Sequence, residues 1–234
     1  MGDSKTVGEG SQETYYGEFY SQVVGINTTG LLSFFWKYPH NLLEKSFKTN
    51  KGFKIIEVGA GQGEHLDFVV PDYSEYFLTD NNINQLRKIS FKKSYRIKRK
   101  KVDAESIKFQ DNTFDRLIST CLLSHLNNPE KAIMEWRRIV KHDGYISIYL
   151  STDPSIALRV FRKFTTKRRA SRLGFTGYDL FIAREHKNSV QSLIDVLKHN
   201  FRKDEIQIIF RPFGIKSWYL NLVCIIQVRI NKKN

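Results

Sequence analysis

The run Phe53-Lys54-Ile55-Ile56-Glu57-Val58-Gly59-Ala60-Gly61-Gln62-Gly63 decides how this chain folds. Ile55, Ile56 and Val58 make a β-branched apolar stretch that reads as a buried strand. It stops in three glycines at alternate positions, Gly59, Gly61 and Gly63. Glycine admits backbone angles that a Cβ forbids, and it lets a ligand approach the main chain closely. Glu64 to Val70 follows as a short helix closed by Pro71. Strand, glycine turn and helix together place a ligand against free backbone N–H groups at a helix N-terminus.

The glycine spacing narrows the ligand. A dinucleotide turn reads G-x-G-x-x-G. This one reads G-x-G-x-G, with Glu64 where the third dinucleotide glycine would fall. Glu57 stands two positions before the first glycine. A carboxylate there repels a pyrophosphate and can hold an ammonium group. S-adenosylmethionine has an amino-acid end and no phosphate. At these residues the sequence resembles the class I S-adenosylmethionine-dependent methyltransferases, whose first motif is E/D-x-G-x-G-x-G. A tight strand–helix turn with no ligand is the plainer alternative. The resemblance implies an α/β, Rossmann-like sheet of seven mostly parallel strands, with helices on both faces and the last strand antiparallel. It also implies that Glu57, Gly59, Ala60, Gly61 and Gly63 surround the cofactor.

Further residues follow in the family's order. Glu75 to Thr79 reads as the second strand and ends at Asp80, 17 residues after Gly63. The resemblance makes Asp80 the ribose ligand, since one carboxylate can accept two hydrogen bonds from a cis-diol, with Asn81 beside it. Asn81 and Asn82 also suit a cap for a helix Ile83–Phe91. Asp103-Ala104, closing the third strand, fits the family's adenine site: carboxylate to the exocyclic amine, backbone N–H to the ring. Phe109-Gln110-Asp111-Asn112-Thr113-Phe114-Asp115 resembles the lead-in to strand four in the small-molecule, type 11-like subgroup. Strand four, Arg116 to Thr120, runs into Cys121-Leu122-Leu123-Ser124-His125. Ligands of open α/β sheets bind beyond the carboxyl ends of the strands, so this loop faces the transferred methyl group and Cys121 borders the cofactor. Asn128 caps a helix Glu130–Lys141 with Pro129 at its start, and His142-Asp143-Gly144 turns into strand five, Tyr145 to Leu150. A leucine-striped helix Ser189–Asn200 and strands Glu205–Phe210 and Leu220–Ile230 complete the chain.

At 234 residues the chain fits one domain. Residues 1–50 read as an N-terminal helical lid, 51–150 as the cofactor-binding half, 151–186 as a substrate-side insertion and 187–234 as the last helix and strands. Glu13 to Phe47 is rich in aromatics and reads as one or two helices, broken near Gly25–Gly30 and again near Pro39. By resemblance this segment lies over the cofactor, with Tyr16 on the cofactor and Tyr15 and His40 lining the substrate side. Helices that merely cover a sheet face are the alternative. Cys121 and Cys224 sit in apolar runs, which gives neither a disulfide framework nor zinc spacing and fits a reducing cytoplasm. No metal site is legible among His65, His125 and His186. The N-terminus is polar, so no signal peptide is expected. No stretch reaches the ~18–20 apolar residues of a membrane span.

Net charge is +14 and the sequence pI about 9.7. Such an imbalance points to nucleic acid, an anionic membrane surface or an anionic substrate. A lysine bias of the source organism is the bland alternative. Residues 159–172 hold seven bases and no acid, with Arg159, Arg162 and Lys163 on one helix face. Guanidinium groups suit phosphate or carboxylate. In the family such an insertion binds the acceptor, which implicates Arg159, Arg162, Tyr178 and Glu185. His186 and His125 are the candidate general bases, His186 with Glu185 as its expected partner. The leading expectation is methyl transfer to an anionic small molecule, such as a sugar or phosphate-bearing envelope precursor. RNA methylation is an alternative, although the loop after strand four lacks an Asn/Asp-Pro-Pro-aromatic motif and no Pro-Cys nucleophile is present. Action on a lipid at an anionic membrane surface is another. Catalysis by proximity alone also stays open.

Overall fold

The computed structural model describes residues 31–47, 51–70, 72–89 and 95–232. Tyr15, Tyr16 and the expected break near Gly25–Gly30 lie outside them. The element order is α1 (Leu31–Glu44), β1 (Lys51–Val58), β2 (Asp72–Asp80), α2 (Ile83–Lys88), β3 (Ile97–Lys101), β4 (Phe114–Thr120) and α3 (Pro129–Ile139), then β5 (Val140–Ser151). Three helices follow, α4 (Ile156–Phe164), α5 (Thr166–Arg172) and α6 (Tyr178–Glu185), and then α7 (Val190–Asn200), β6 (Glu205–Arg211) and β7 (Val223–Arg229). The strands form one sheet in the order β3-β2-β1-β4-β5-β7-β6. All pairings are parallel except those of β7, which runs antiparallel to both β5 and β6.

Period-two alternation divides the strand side chains between two cores. Ile56, Val58, Phe77, Leu117, Ile146, Ile148, Ile226 and Val228 pack against Ile133, Trp136 and Ile139 of α3 and Val190, Leu193, Ile194 and Leu197 of α7. Ile55, Tyr76, Leu78, Ile118 and Ile225 face the other way, against Leu43 of α1 and Leu86 of α2. Helices therefore cover both faces.

A polar cluster lies within the α1 face. Both Glu44 oxygens accept from Arg116, at 2.8 Å from Nη1 and 2.7 Å from Nη2. Arg116 Nε donates to Ser147 Oγ at 2.9 Å. His65 Nε2 meets Glu44 at 2.9 Å, and His40 Nδ1 lies 2.9 Å from His65 Nδ1. All five side chains are buried. Since the carboxylate only accepts, His65 Nε2 carries hydrogen, His65 Nδ1 accepts, and His40 Nδ1 donates.

Three local expectations are corrected. Glu64–Val70 is a series of turns with 3-10 geometry at Leu66–Phe68, not one helix. Its bonds run i to i−3, as from Phe68 N–H to His65 O, while the His65 ring is held by Glu44 and His40. Pro39 does not break α1 but lies inside it, and the buried His40, Leu43 and Glu44 beyond it anchor that end. The fifth strand starts at Val140, so His142-Asp143-Gly144 is an irregularity within it, with Asp143 at φ +59°. The cap at Asn128 forms as expected, its side chain accepting from Lys131 N–H at 3.0 Å.

Candidate active site

The carboxyl ends of β1, β2, β4 and β5 lie along one edge of the sheet, and the candidate residues gather there. The glycine turn leaves β1 tightly: Gly63 N–H bonds Ala60 O at 2.7 Å and Ala60 N–H bonds Thr79 O at 2.9 Å. Gly59 and Gly63 adopt φ +72° and +76°. A Cβ on Gly59 would fall 2.8 Å from both Leu122 Cδ atoms, and one on Gly63 would fall 2.9 Å from Ile89 Cδ1. Gly59→Ala is expected to cost about 1–2 kcal/mol from the backbone alone. It should also displace Leu122, whose turn carries His125. A denaturant midpoint and a cofactor titration check this, and a variant unchanged in both would disprove it.

These residues fit S-adenosylmethionine on three counts. Glu57 is 1% exposed; its Oε2 accepts from Tyr76 OH at 2.7 Å, while Oε1 is buried without a partner. Burial pushes its carboxyl up to about 8 despite the Tyr76 bond, and the nearby Glu64 carboxylate adds to the rise. A buried orphan oxygen beside a glycine turn is what an ammonium group would satisfy. Asp80 accepts from Gly61 N–H at 3.0 Å and Asn82 N–H at 2.8 Å, one on each oxygen. Each oxygen keeps a second acceptor site for a ribose hydroxyl. Asp103 is exposed and Ala104 buried beside it, with Asp103 Oδ1 accepting from Glu105 N–H at 2.9 Å. Asn81 is exposed next to Asp80, and Asn82, not Asn81, caps α2 by accepting from Asn84 N–H at 3.0 Å.

A cavity of about 250 Å³ lies beyond the ends of β4 and β5, bordered by Cys121, Tyr149 and Ser151. Its walls are mainly apolar and aromatic, with Phe35 and Trp36 from α1, Leu158 and Phe161 from α4, and Tyr178 and Phe181 from α6. Cys121 sits at φ +57°. Burial pushes its thiol up to about 11, so it stays protonated and is no nucleophile.

His125 and His186 both face this cavity, their rings 4.9 Å apart edge to face. Asn188 brings their loops together: its Nδ2 donates to Leu123 O at 3.1 Å and Leu126 O at 2.8 Å. His186 pairs with Asp153 rather than with Glu185, Nδ1 to Oδ2 at 2.5 Å. Arg162 Nη1 holds the same Asp153 oxygen at 2.6 Å. Burial alone would raise the Asp153 carboxyl, but the His186 hydrogen bond and the Arg162 charge outweigh it and bring it down to about 2. Glu185 instead lies 3.9 Å from His125. Burial, and then the charge His186 can carry, press His125 down to about 4, so its ring is neutral at pH 7.

The other candidates divide. Arg162 and Tyr178 line both this cavity and an outer cleft of about 700 Å³ on the far side of His186. Arg159 lines only that cleft, with Lys163, Lys167 and Lys187. His40 is buried in the Glu44 cluster, stacked on Phe68, and does not line the cavity. Residues that sequence reasoning passed over are Asp153, Glu64 above Gly61, and the cavity walls Tyr149 and Trp36. Asp153 alone carried a signal, as an acid at the carboxyl end of a strand.

Residues 56–148 match the family model of a methyltransferase domain. Among solved structures, the chain resembles one in the complex of the Haloferax volcanii Trm112 methyltransferase activator with its methyltransferase. The identity is 8% and the TM-score 0.64, covering 95% of this chain and 98% of that one. An S-adenosylmethionine-dependent methyltransferase of Thermotoga maritima is similar at 14% identity and TM-score 0.59, over 93% and 95% of the two chains. The cyclase SpnF is similar at 12% identity and TM-score 0.64, over 99% of each. At such identities the likeness shows the fold alone. No curated protein matches the chain.

Proposed function

We propose that this chain is a class I S-adenosylmethionine-dependent methyltransferase, a reading supported by the methyltransferase-domain match of residues 56–148, and that its acceptor is a small molecule with an apolar body seated in the aromatic cavity. The observation that carries this reading is His186 on the wall of an apolar space at the ends of β4 and β5, held from behind by Asp153, which lines the outer cleft. When bound, the cofactor supplies a methyl group on a sulfonium sulfur, open to in-line displacement. The chain's part is to align the acceptor, exclude water and receive a proton. The Asp153 carboxylate can only accept, so His186 Nδ1 carries hydrogen and Nε2 has the free lone pair. An acceptor hydroxyl gives its proton to Nε2, and Asp153 then stabilises the imidazolium. His125, neutral and edge-on to His186, fixes that ring without competing for the proton.

An anionic group on the acceptor, which the charge of the chain favours, would find Arg159, Lys163 and Lys187 in the outer cleft. Cys121 and Cys224 are both free thiols, which accords with a cytoplasmic site of action. His186→Ala is expected to lower turnover about a hundredfold on hydroxyl acceptors, with cofactor affinity unchanged. Labelled methyl transfer to a panel of apolar and aromatic hydroxyl compounds provides the readout. Full turnover by the variant would remove His186 from the mechanism, and an inert panel would remove the apolar acceptor.

A further inference from the structure

Three segments meet at the mouth of the cavity. Phe35 of α1 lies 5.3 Å from Phe161 of α4, ring to ring. The turn Trp218–Leu220 packs on α4. Phe35, Phe161 and Pro212 all line the cavity. Residues 31–43, 155–172 and 211–222 hold ten Lys and Arg and no Asp or Glu. The whole chain has 24 acids in 234 residues, so an acid-free stretch of this combined length is a real departure.

The outward side chains of these segments mix bases with large apolar groups. On α4, Ile156, Val160 and Phe164 recur every four residues and are 48%, 51% and 66% exposed. Arg159 and Lys163 flank that stripe on the same exposed face, while Leu158 faces inward. Phe213 and Ile215, in the loop between β6 and β7, are exposed beside Lys216, and so is Phe34 on α1. A helix packed on a domain normally turns polar groups to water. A connected apolar patch there marks an interaction site.

We propose that this rim docks the chain on an anionic phospholipid bilayer. The α4 stripe and Phe213 enter the boundary between headgroups and acyl chains, and Arg159, Lys163 and Lys216 meet lipid phosphates. Apolar side chains framed by Lys and Arg match both parts of such a surface; the acids that share the cleft with Val160 and Lys163, Asp153 and Asp179, are paired with Arg162 and Lys167. A second copy of this chain would match only the apolar part, because it would set its own bases against these. The described residues contain no helix long and apolar enough to cross a membrane, so they contribute a surface contact. Docking turns the cavity mouth toward the bilayer and holds whichever acceptor the cavity takes.

The test is flotation of the full chain with phosphatidylcholine vesicles, with and without phosphatidylglycerol. Binding to the anionic vesicles is expected to be at least ~10-fold tighter, and to weaken as salt screens the charges. The double variant Val160→Asp, Phe213→Asp is expected to lose about tenfold or more of that binding. Both positions are exposed, so it should melt and bind the product nucleoside as the unsubstituted chain does. Equal binding by the variant, or binding indifferent to lipid charge, overturns the proposal. So does a dimer in sedimentation that the variant dissociates while neither form binds vesicles.

Discussion

Replacing Glu44 by alanine is expected to lower the unfolding free energy by about 3–5 kcal/mol, read as a shift in the denaturant midpoint. Arg116 is 0% exposed and Glu44 1%. The substitution leaves a buried guanidinium with no counter-charge. It also takes the acceptor from His65 Nε2–H and from Val70 N–H, the latter at 3.3 Å. The paired change Glu44→Leu, Arg116→Met removes both charges together and is expected to cost far less, since a well-packed apolar pair can replace a buried ion pair. Acid should act through the same cluster. Burial alone would raise the Glu44 carboxyl, but hydrogen bonds from His65 and Arg116 hold it at about 2. Its contribution is full above the ordinary value of 4.5 and is lost as pH falls toward 2. Burial, then the neighbouring His65, press His40 down to about 3, so its contribution is present above 6.5 and declines from there. His65 and His125 are pressed down as well, and the three histidines together outweigh the opposite trend of the buried Glu57, so the native protein should lose stability below about pH 6.5, and Glu44→Ala should abolish only the steeper, more acidic part. A midpoint shift under ~1 kcal/mol would mean that the freed guanidinium reaches water.

The strands and the cofactor turn were legible because their chemistry is local. Ile55 to Val58 states a buried strand within four residues, and the glycines, Asp80 and Asp103-Ala104 follow at intervals that need no tertiary information. The Glu44–Arg116 pair is 72 residues apart in the chain and carries no pattern in either segment. The partner of His186 shows the same limit. Glu185 is adjacent in sequence, but neighbouring residues at a helix end point about 100° apart and do not face each other. Asp153, 33 residues away, reaches the ring because the end of β5 meets the end of α6. Pro39 was expected to stop a helix, as proline does to an isolated one. Tertiary burial of His40, Leu43 and Glu44 overrides that preference. The apolar cavity was hidden for a like reason. Its walls come from α1, α4 and α6, whose aromatics read separately as core and whose intervening bases drew attention to the surface instead.

Glu57→Gln is expected to weaken binding of both S-adenosylmethionine and its product nucleoside by about 10²–10³-fold, because the variant cannot offer a buried carboxylate to their common ammonium group. The same substitution should leave the free protein more stable at neutral pH. Glutamine can still accept from Tyr76 OH, as Glu57 Oε2 does at 2.7 Å. In the free protein burial raises the Glu57 carboxyl from 4.5 to about 8. The folded state therefore binds the extra proton between those values, and the contribution is full below 4.5 and lost as pH rises through about 8. Glutamine stays neutral throughout, so its advantage should grow over that window to the order of a few kcal/mol. Ligand binding runs the linkage in the other direction. Pairing with an ammonium requires the carboxylate, so complex formation at pH 7 releases close to one proton from Glu57, and affinity climbs with pH until it levels above about 8. Calorimetry in two buffers of different ionisation heat counts that proton. The unsubstituted chain should release it and Glu57→Gln should not. Equal affinity and equal proton release in both forms would mean that the ammonium lies elsewhere, and the orphan Oε1 atom would then need another partner.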